Sequence, residues 1–267
     1  MSGGRPPYDE APMAGAFTID LNSDLGEGYG IWKLADDSAL LRIITSANIA
    51  CGFHAGDPTT MRTAVTAAVA GGIAIGAHVS FPDRRGFGRR DMAIPPAEVR
   101  DDVVFQAGAL DAIARAHGSR VSFVKPHGAL YNRIAIDREL ADAVVAAVGS
   151  LDGPPALVTL PGSAAETAAR ATGLTVIAEA FADRAYARDG HLVARDRAGA
   201  VISDLDTVAA RAVRIASEQA VETIDGETIE LRAQTLCVHG DSPGSVALAG
   251  AIRAALERAG FTLAPAV

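Results

Sequence analysis

The chain has 267 residues, 49% of them hydrophobic and 21% charged, a net charge of -8 and two cysteines. That balance is typical of a soluble globular protein, and its acidity repels phosphate backbones, which argues against a nucleic-acid partner. Two isolated thiols, Cys51 and Cys237, exclude a disulfide framework, and no apolar run of about 18 residues is present to span a membrane.

The opening MSGGRPPYDEAPMAG lacks the apolar stretch of a secretory signal. It predicts a disordered tail over 1–16, a single domain over 17–267 and the cytoplasm as the compartment. From Phe17 onward, short β-branched runs alternate with longer amphipathic stretches. FTID (17–20) predicts a strand, DDSALLRIIT (36–45) a helix and SANIAC (46–51) a second strand. The next helix, 57–72, opens on an Asp57 cap with Pro58 at its first position and ends in glycines. Its Met61, Ala64, Val65, Ala68 and Val69 fall at helical spacing and predict one apolar face.

The cadence continues with a strand at 73–79 and a long helix at 95–118 that places Val99, Val103, Leu110 and Ile113 on one side. Strands are predicted at 120–125, 156–160, 175–179 and 235–240, with helices at 137–149, 163–173, 205–217 and 245–260. ARDGHLVARD (187–196) predicts a small excursion hairpin turning at Asp189-Gly190. Seven βα units in a row imply a parallel sheet with helices outside. No glycine-rich dinucleotide fingerprint follows the first strand, so a closed seven-stranded parallel βα barrel is expected rather than an open nucleotide-binding sheet.

Four of the six histidines, His54, His78, His127 and His239, fall at or just past the end of a predicted strand. In parallel α/β folds that edge is where sites are built. Asp20, Asn22, Asp24 and Glu27 follow the first strand, Lys125 ends the fourth, Glu179, Asp183 and Arg184 follow the sixth, and Asp241 follows His239. His117 fits a helix C-terminus, His191 sits in the excursion, and Gly26, Gly28 and Gly30 fit turns. RRGFGRRD concentrates Arg84, Arg85, Arg89 and Arg90 in one loop, either a solvated segment or an anion clamp.

DLNSDLGEGYG, NIACGFHAGDP, GAHVSFPDRRGFGRR, VKPHGALYN, EAFADRAYARDG and HGDSPG occur in that order and together resemble the LamB/YcsF family over nearly the whole chain beyond the tail. Val79 departs from the GAHPSFPD form of one block, which touches loop shape more than chemistry. The resemblance implies a barrel similar to sugar deacetylases, in the glycoside hydrolase/deacetylase-like class. It also implies conversion of 5-oxoproline, ATP and water to L-glutamate, ADP and phosphate, together with 5-oxoprolinase subunits B and C.

In that frame His127 is expected as general acid or base and Lys125 as a stabiliser of an oxyanion or phosphate. Asp24 or Glu27 is expected to orient water, and Asp241 to fix the tautomer of a neighbouring histidine. Asn22, His54, Arg84, Arg89, Arg90, Asn132, Asp183, Arg184 and His239 are expected to contact substrate or an anion. The deacetylase likeness adds a possible divalent metal on Asp24, His78 and His127. No G-x-x-x-x-G-K-[ST] loop occurs, so ATP is expected largely on the partner subunits. Two alternatives stand beside this one: a metal-dependent amide hydrolase or carbohydrate deacetylase acting alone, and a non-catalytic subunit that binds 5-oxoproline.

Overall fold

A computed structural model describes residues 17–241 and 244–267. The expected tail over 1–16 lies outside the described residues. In chain order the elements are β1 (Thr18–Leu25), α1 (Asp37–Leu40), β2 (Ser46–Ala50), α2 (Pro58–Gly71), β3 (Ala74–Val79), α3 (Pro96–Ala116), β4 (Phe123–Pro126), α4 (Gly128–Ile136) and α5 (Arg138–Gly149). They continue with β5 (Ala156–Thr159), α6 (Ala164–Ala171), β6 (Val176–Phe181), α7 (Leu205–Glu218), β7 (Ala220–Glu222), β8 (Thr228–Glu230), β9 (Thr235–Val238), α8 (Ser245–Arg258) and β10 (Thr262–Leu263).

β1 pairs in parallel with both β2 and β9, so β1-β2-β3-β4-β5-β6-β9 closes on itself as a seven-stranded parallel barrel. β10 adds to the first residues of β1, through Thr18–Thr262 and Ile19–Leu263. The helices cover the outside. α2 starts where the Asp57 carboxylate accepts the Thr59 and Thr60 N–H groups and stops at Gly72, whose φ of 66° suits the left-handed cap. Met61, Ala64, Val65 and Ala68 of α2 are buried as expected, whereas Val69 is 37% exposed at the edge of the face.

Several elements differ from the sequence expectation. The helix expected at 36–45 is one short α1 followed by turns that still bury Leu40 and Ile44. α4 was not expected, because a His-Gly opening carries no capping signal. The β7–β8 hairpin, turning at Asp225-Gly226, and the two-residue β10 were also unexpected. The excursion is present: Tyr186 bridges Leu192 and Arg184 bridges Val201, both antiparallel.

The barrel interior is divided by chemistry. Around its N-terminal end, Phe123, Ala156, Val158 and Ile177 form a separate apolar cluster. Gly76 of β3 makes room for it, since a Cβ there would lie 1.9 Å from the Phe123 ring. Facing them are polar residues of β1, β2 and β9. Asp20 accepts bonds from Thr45, Ser46 and Thr235, and Asn22 donates to Thr235 and to Glu179 on β6. Burying that many polar groups is tolerable only because nearly all are paired. Above this layer the interior opens into the site.

Candidate active site

Lys125, one of two lysines in the chain, points from β4 into the barrel, where it is 3% exposed. Its Nζ lies 2.8 Å from Glu179 Oε1, 3.1 Å from Asp24 Oδ1, 3.2 Å from Asn22 Oδ1 and 2.9 Å from Cys237 Sγ. Burial alone would drive the proton off, but Asp24, Cys237 and Glu179 outweigh it and hold the ammonium well above its usual range. Three N–H bonds meet four acceptors, so a substrate oxygen would have to displace one of them to be bonded directly. Burial also works against ionisation of Asp24, yet His78 and Lys125 hold its carboxyl well below the usual range.

The imidazoles form a chain whose proton placement follows from its ends. His78 Nδ1 lies 3.0 Å from the Lys125 carbonyl and His127 Nε2 lies 2.8 Å from the Phe87 carbonyl. A carbonyl only accepts, so both of those nitrogens carry hydrogen. The remaining nitrogens, His78 Nε2 and His127 Nδ1, face each other at 2.9 Å. With both rings neutral these would be two opposed lone pairs, so the gap suits a shared proton or a cation. Burial, and next His78, hold His127 well below the usual imidazole range, so two imidazolium ions do not coexist here.

The loop after β3 sets this geometry. Asp83 accepts from Gly86 N–H and from the Arg90 guanidinium, closing a tight turn. Phe87 then takes a left-handed φ of 55°, which is costly for a bulky side chain, and in that conformation its carbonyl meets His127. At Gly88 a Cβ would stand 2.8 Å from the His127 ring and 2.9 Å from His54, so only glycine lets the loop lie this close. His54 stacks on His127 with ring centroids 3.9 Å apart.

Glu27 stands 3.3 Å from His54 Nε2 and 3.7 Å from His127 Nδ1. Burial, then Asp24 and Asp241, push its carboxyl well above the usual range. Asp24 and Glu27 are therefore pushed in opposite directions, Asp24 toward the ionised form and Glu27 toward the protonated one, the arrangement that separates a charge stabiliser from a proton carrier. Glu27, His54, His78 and His127 together could place one donor atom each within 4.8 Å of the others, and Asp24, Cys237 and His239 form a second such group. Both nitrogens of His78 and His127 that face this space have their ring partners anchored on carbonyls, as metal-ligating histidines usually do. The donors thus fit a divalent metal, with Glu27 and His54 in the converging set and Asp24 approaching His78 Nε2 at 3.4 Å.

A cavity of about 380 Å³ opens above this floor, lined by Asp24, His78, Lys125, His127 and His239 below and by Tyr131, Asn132, Arg184 and the excursion above. Its size is ordinary for a small-molecule site. Other expected residues do different work. Arg84 donates to the Gly52 carbonyl and lies over the Tyr29 ring, and Arg90 is bound to Asp83, so neither lines the cavity. Only Arg89 of that loop reaches it, and Arg89 is paired with Asp241 at 2.6 Å. Asp241 therefore does not orient a histidine. That role falls to Asp183, whose Oδ2 is 3.0 Å from His239 Nδ1. Asn22 acts one layer below the cavity, between Lys125, Asn48 and Glu179.

Glu179 was placed on the rim from sequence but given no role, and three residues were not singled out as site residues: Asn48, Cys237 and Tyr131. Glu179 and Asn48 had a signal, since a charged or amide residue inside a fully buried apolar strand must be paired. Tyr131 had none. Its hydroxyl and Glu179 Oε2 are buried without a hydrogen-bond partner among the described residues.

Fold and site together define a parallel βα-barrel protein with a buried acid, imidazole and ammonium cluster at the C-terminal ends of its strands. The LamB/YcsF family model matches residues 19–267, and the chain belongs to that family. It is 55% identical over 242 residues to a Streptomyces griseus protein named as the A subunit of 5-oxoprolinase, covering 91% of this chain and 97% of the relative. A Nocardia farcinica protein of the same name is 54% identical over 245 residues, covering 92% and 98%. Among solved structures, the lactam utilization protein of Thermus thermophilus is 46% identical with a TM-score of 0.88, covering 92% of this chain and 99% of that one.

Proposed function

We propose that this chain is the A subunit of an ATP-dependent 5-oxoprolinase and that the cavity above Lys125 and His127 binds the lactam. The observation that carries this reading is the buried Asp24–Lys125–Glu179 group beside the His78–His127 pair, at the floor of a small-molecule cavity. A five-membered lactam re-forms readily, so opening needs an activated carbonyl and a driving reaction. In this scheme the lactam oxygen takes the γ-phosphoryl group of ATP, releasing ADP. Water then adds to the activated carbon, giving up a proton toward His127. The C–N bond breaks as the ring nitrogen takes a proton, and the acyl phosphate is hydrolysed to L-glutamate and phosphate.

His127 and Glu27 are the groups placed to move those protons, and the fixed positive charge of Lys125 favours negative charge developing above it. The chain carries no Walker-type loop, so subunits B and C supply most of the nucleotide site in this reading. No described helix is long and apolar enough to cross a membrane, and we place the reaction in the cytoplasm.

A second reading is favoured by the imidazole geometry. If a divalent metal is resident, Glu27, His54, His78 and His127 would hold it, with Asp24 alongside. Such an ion supplies Lewis-acid polarisation of a carbonyl and a lowered pKa for water. As a stand-alone amide hydrolase, the chain would act without ATP or partners and lose activity on chelation.

The deciding experiment measures glutamate and ADP from 5-oxoproline and ATP, with this chain alone and mixed with subunits B and C. Product only in the mixture is expected. In that mixture, His127→Ala should reduce turnover by about 10²-fold or more. No product from partners that are active with another A subunit would overturn the reading, and ATP-independent hydrolysis by the chain alone would favour the second.

A further inference from the structure

The cations around the cavity fall into two kinds. Lys125 is matched by Asp24 and Glu179, and Arg89 is matched by Asp241. Arg184 and Arg195 line the same cavity and have no described carboxylate within ion-pair distance. Arg184 is only 5% exposed, and its Nε and Nη2 donate to two neutral carbonyls, of Ala200 at 3.3 Å and Val193 at 2.6 Å. Its neighbour Asp183 is turned to His239 instead. Burial, and next the charge of Arg195, pull the Arg184 guanidinium down to about 10, against the opposing pull of Asp183.

The excursion brings the two arginines together. Val193 N–H donates to the Ala185 carbonyl and Ile202 N–H to the Asp183 carbonyl, so the returning arm runs beside the segment after β6 that carries Arg184. Arg195 follows Val193 by two residues on that arm, at the cavity wall. Tyr131, 4% exposed, lines the same space, with its hydroxyl buried beside Glu179. This wall therefore offers two guanidinium groups, with the Asp196 carboxylate next to Arg195 also lining the cavity, while the floor presents Asp24.

We propose that Arg184 and Arg195 form a carboxylate-binding subsite that selects a small monoanionic substrate and holds its other end over Lys125 and His127. Arginine's planar fork of donors suits a carboxylate, and a buried guanidinium without a counter-ion is completed by one. A phosphoryl group offers the same oxygen chemistry, but its second charge would sit in one small cavity with Asp24, so the carboxylate is the occupant assigned. In 5-oxoproline this gives each end of the molecule a partner: the carboxylate on the arginines and the lactam at the floor. The assignment rests on the ring-opening reading above.

Arg195→Gln in the reconstituted complex tests it, because Arg195 is exposed and makes no described ion pair. Loss of one charged hydrogen-bonding group predicts a KM for 5-oxoproline raised about tenfold to a hundredfold, with a smaller change in kcat and no change in KM for ATP. Wild type should also bind 5-oxoproline more tightly than its decarboxylated analogue 2-pyrrolidone, and Arg195→Gln should narrow that gap. Arg184→Gln should do the same if it folds; Arg195→Gln decides the matter alone if it does not. An active Arg195→Gln complex with unchanged KM and unchanged discrimination overturns the subsite, as does a rise confined to KM for ATP. A wild-type complex with no 5-oxoproline turnover, from partners active with another A subunit, overturns the reading beneath it.

Discussion

Lys125 and the Arg184–Arg195 pair are both cationic and both border one cavity, yet they are built in opposite ways. Around Lys125 the fold has already supplied the anions, Asp24 and Glu179, within 3.1 Å. Around Arg184 the hydrogen-bond partners among the described residues are carbonyls, and the nearby Asp183 carboxylate is bonded to His239. A compensated buried charge belongs to the fold's own stability and sets a fixed field, whereas an uncompensated one is stabilised when a ligand arrives. The contrast separates the part of the site that is complete in the free protein from the part that is not.

The largest effect should come from removing the compensated cation. Lys125→Met leaves Asp24 and Glu179 buried without their counter-charge and should lower the unfolding free energy by about 3–5 kcal/mol in denaturant titration. Arg195→Gln, by contrast, should stay within about 0.5 kcal/mol of wild type. Equal losses in the two variants would erase the distinction between the sites.

The imidazoles sharpen it with pH. Burial, then His127 and His78, hold His54 well below its usual value of 6.5, so the folded ring stays neutral where the unfolded one takes a proton. Stability should therefore be full above that pH and fall below it, by up to about 1.4 kcal/mol per pH unit for this histidine. Unfolding curves between pH 7 and 5 in metal-free buffer measure the slope, which should shrink in His54→Gln. The arginine wall contributes nothing to it, because guanidinium does not titrate in that range.

Asp57 supplies the mildest case, a surface charge satisfied by backbone N–H groups and the Thr60 hydroxyl. Its carboxylate accepts from the Gly30, Thr60 and Thr59 N–H groups and the Thr60 hydroxyl, which hold it down to about 2. Asp57→Ala should cost about 1 kcal/mol, the usual loss of a helix cap, and thermal melting will show whether the Gly30 contact adds to it.

Much of the barrel was legible in the chain because its strands are short β-branched runs and its helices carry their own start signals. Asp57, Asp137, Ser163 and Asp204 each cap a helix in the structure as their residue types suggest. α4 was not legible, since neither His127 nor Gly128 announces a helix and the element is held by its buried Leu130, Tyr131 and Ile134. The rim histidines were readable because each stands at a strand end. Their pairing was not.

The sequence by itself determined the alternation of strands and helices, the placement of reactive residues at strand ends and the family. Those depend on local periodicity, capping chemistry and residue order, which act over a few neighbouring positions. Only the tertiary structure decided that β1 would meet both β2 and β9, that Asp183 rather than Asp241 would hold His239, and that Arg89 alone of its loop would reach the cavity. Such partnerships join residues as far apart in the chain as Asn22 and Thr235, on the neighbouring strands β1 and β9. They are fixed by closure of the sheet, which no local pattern encodes.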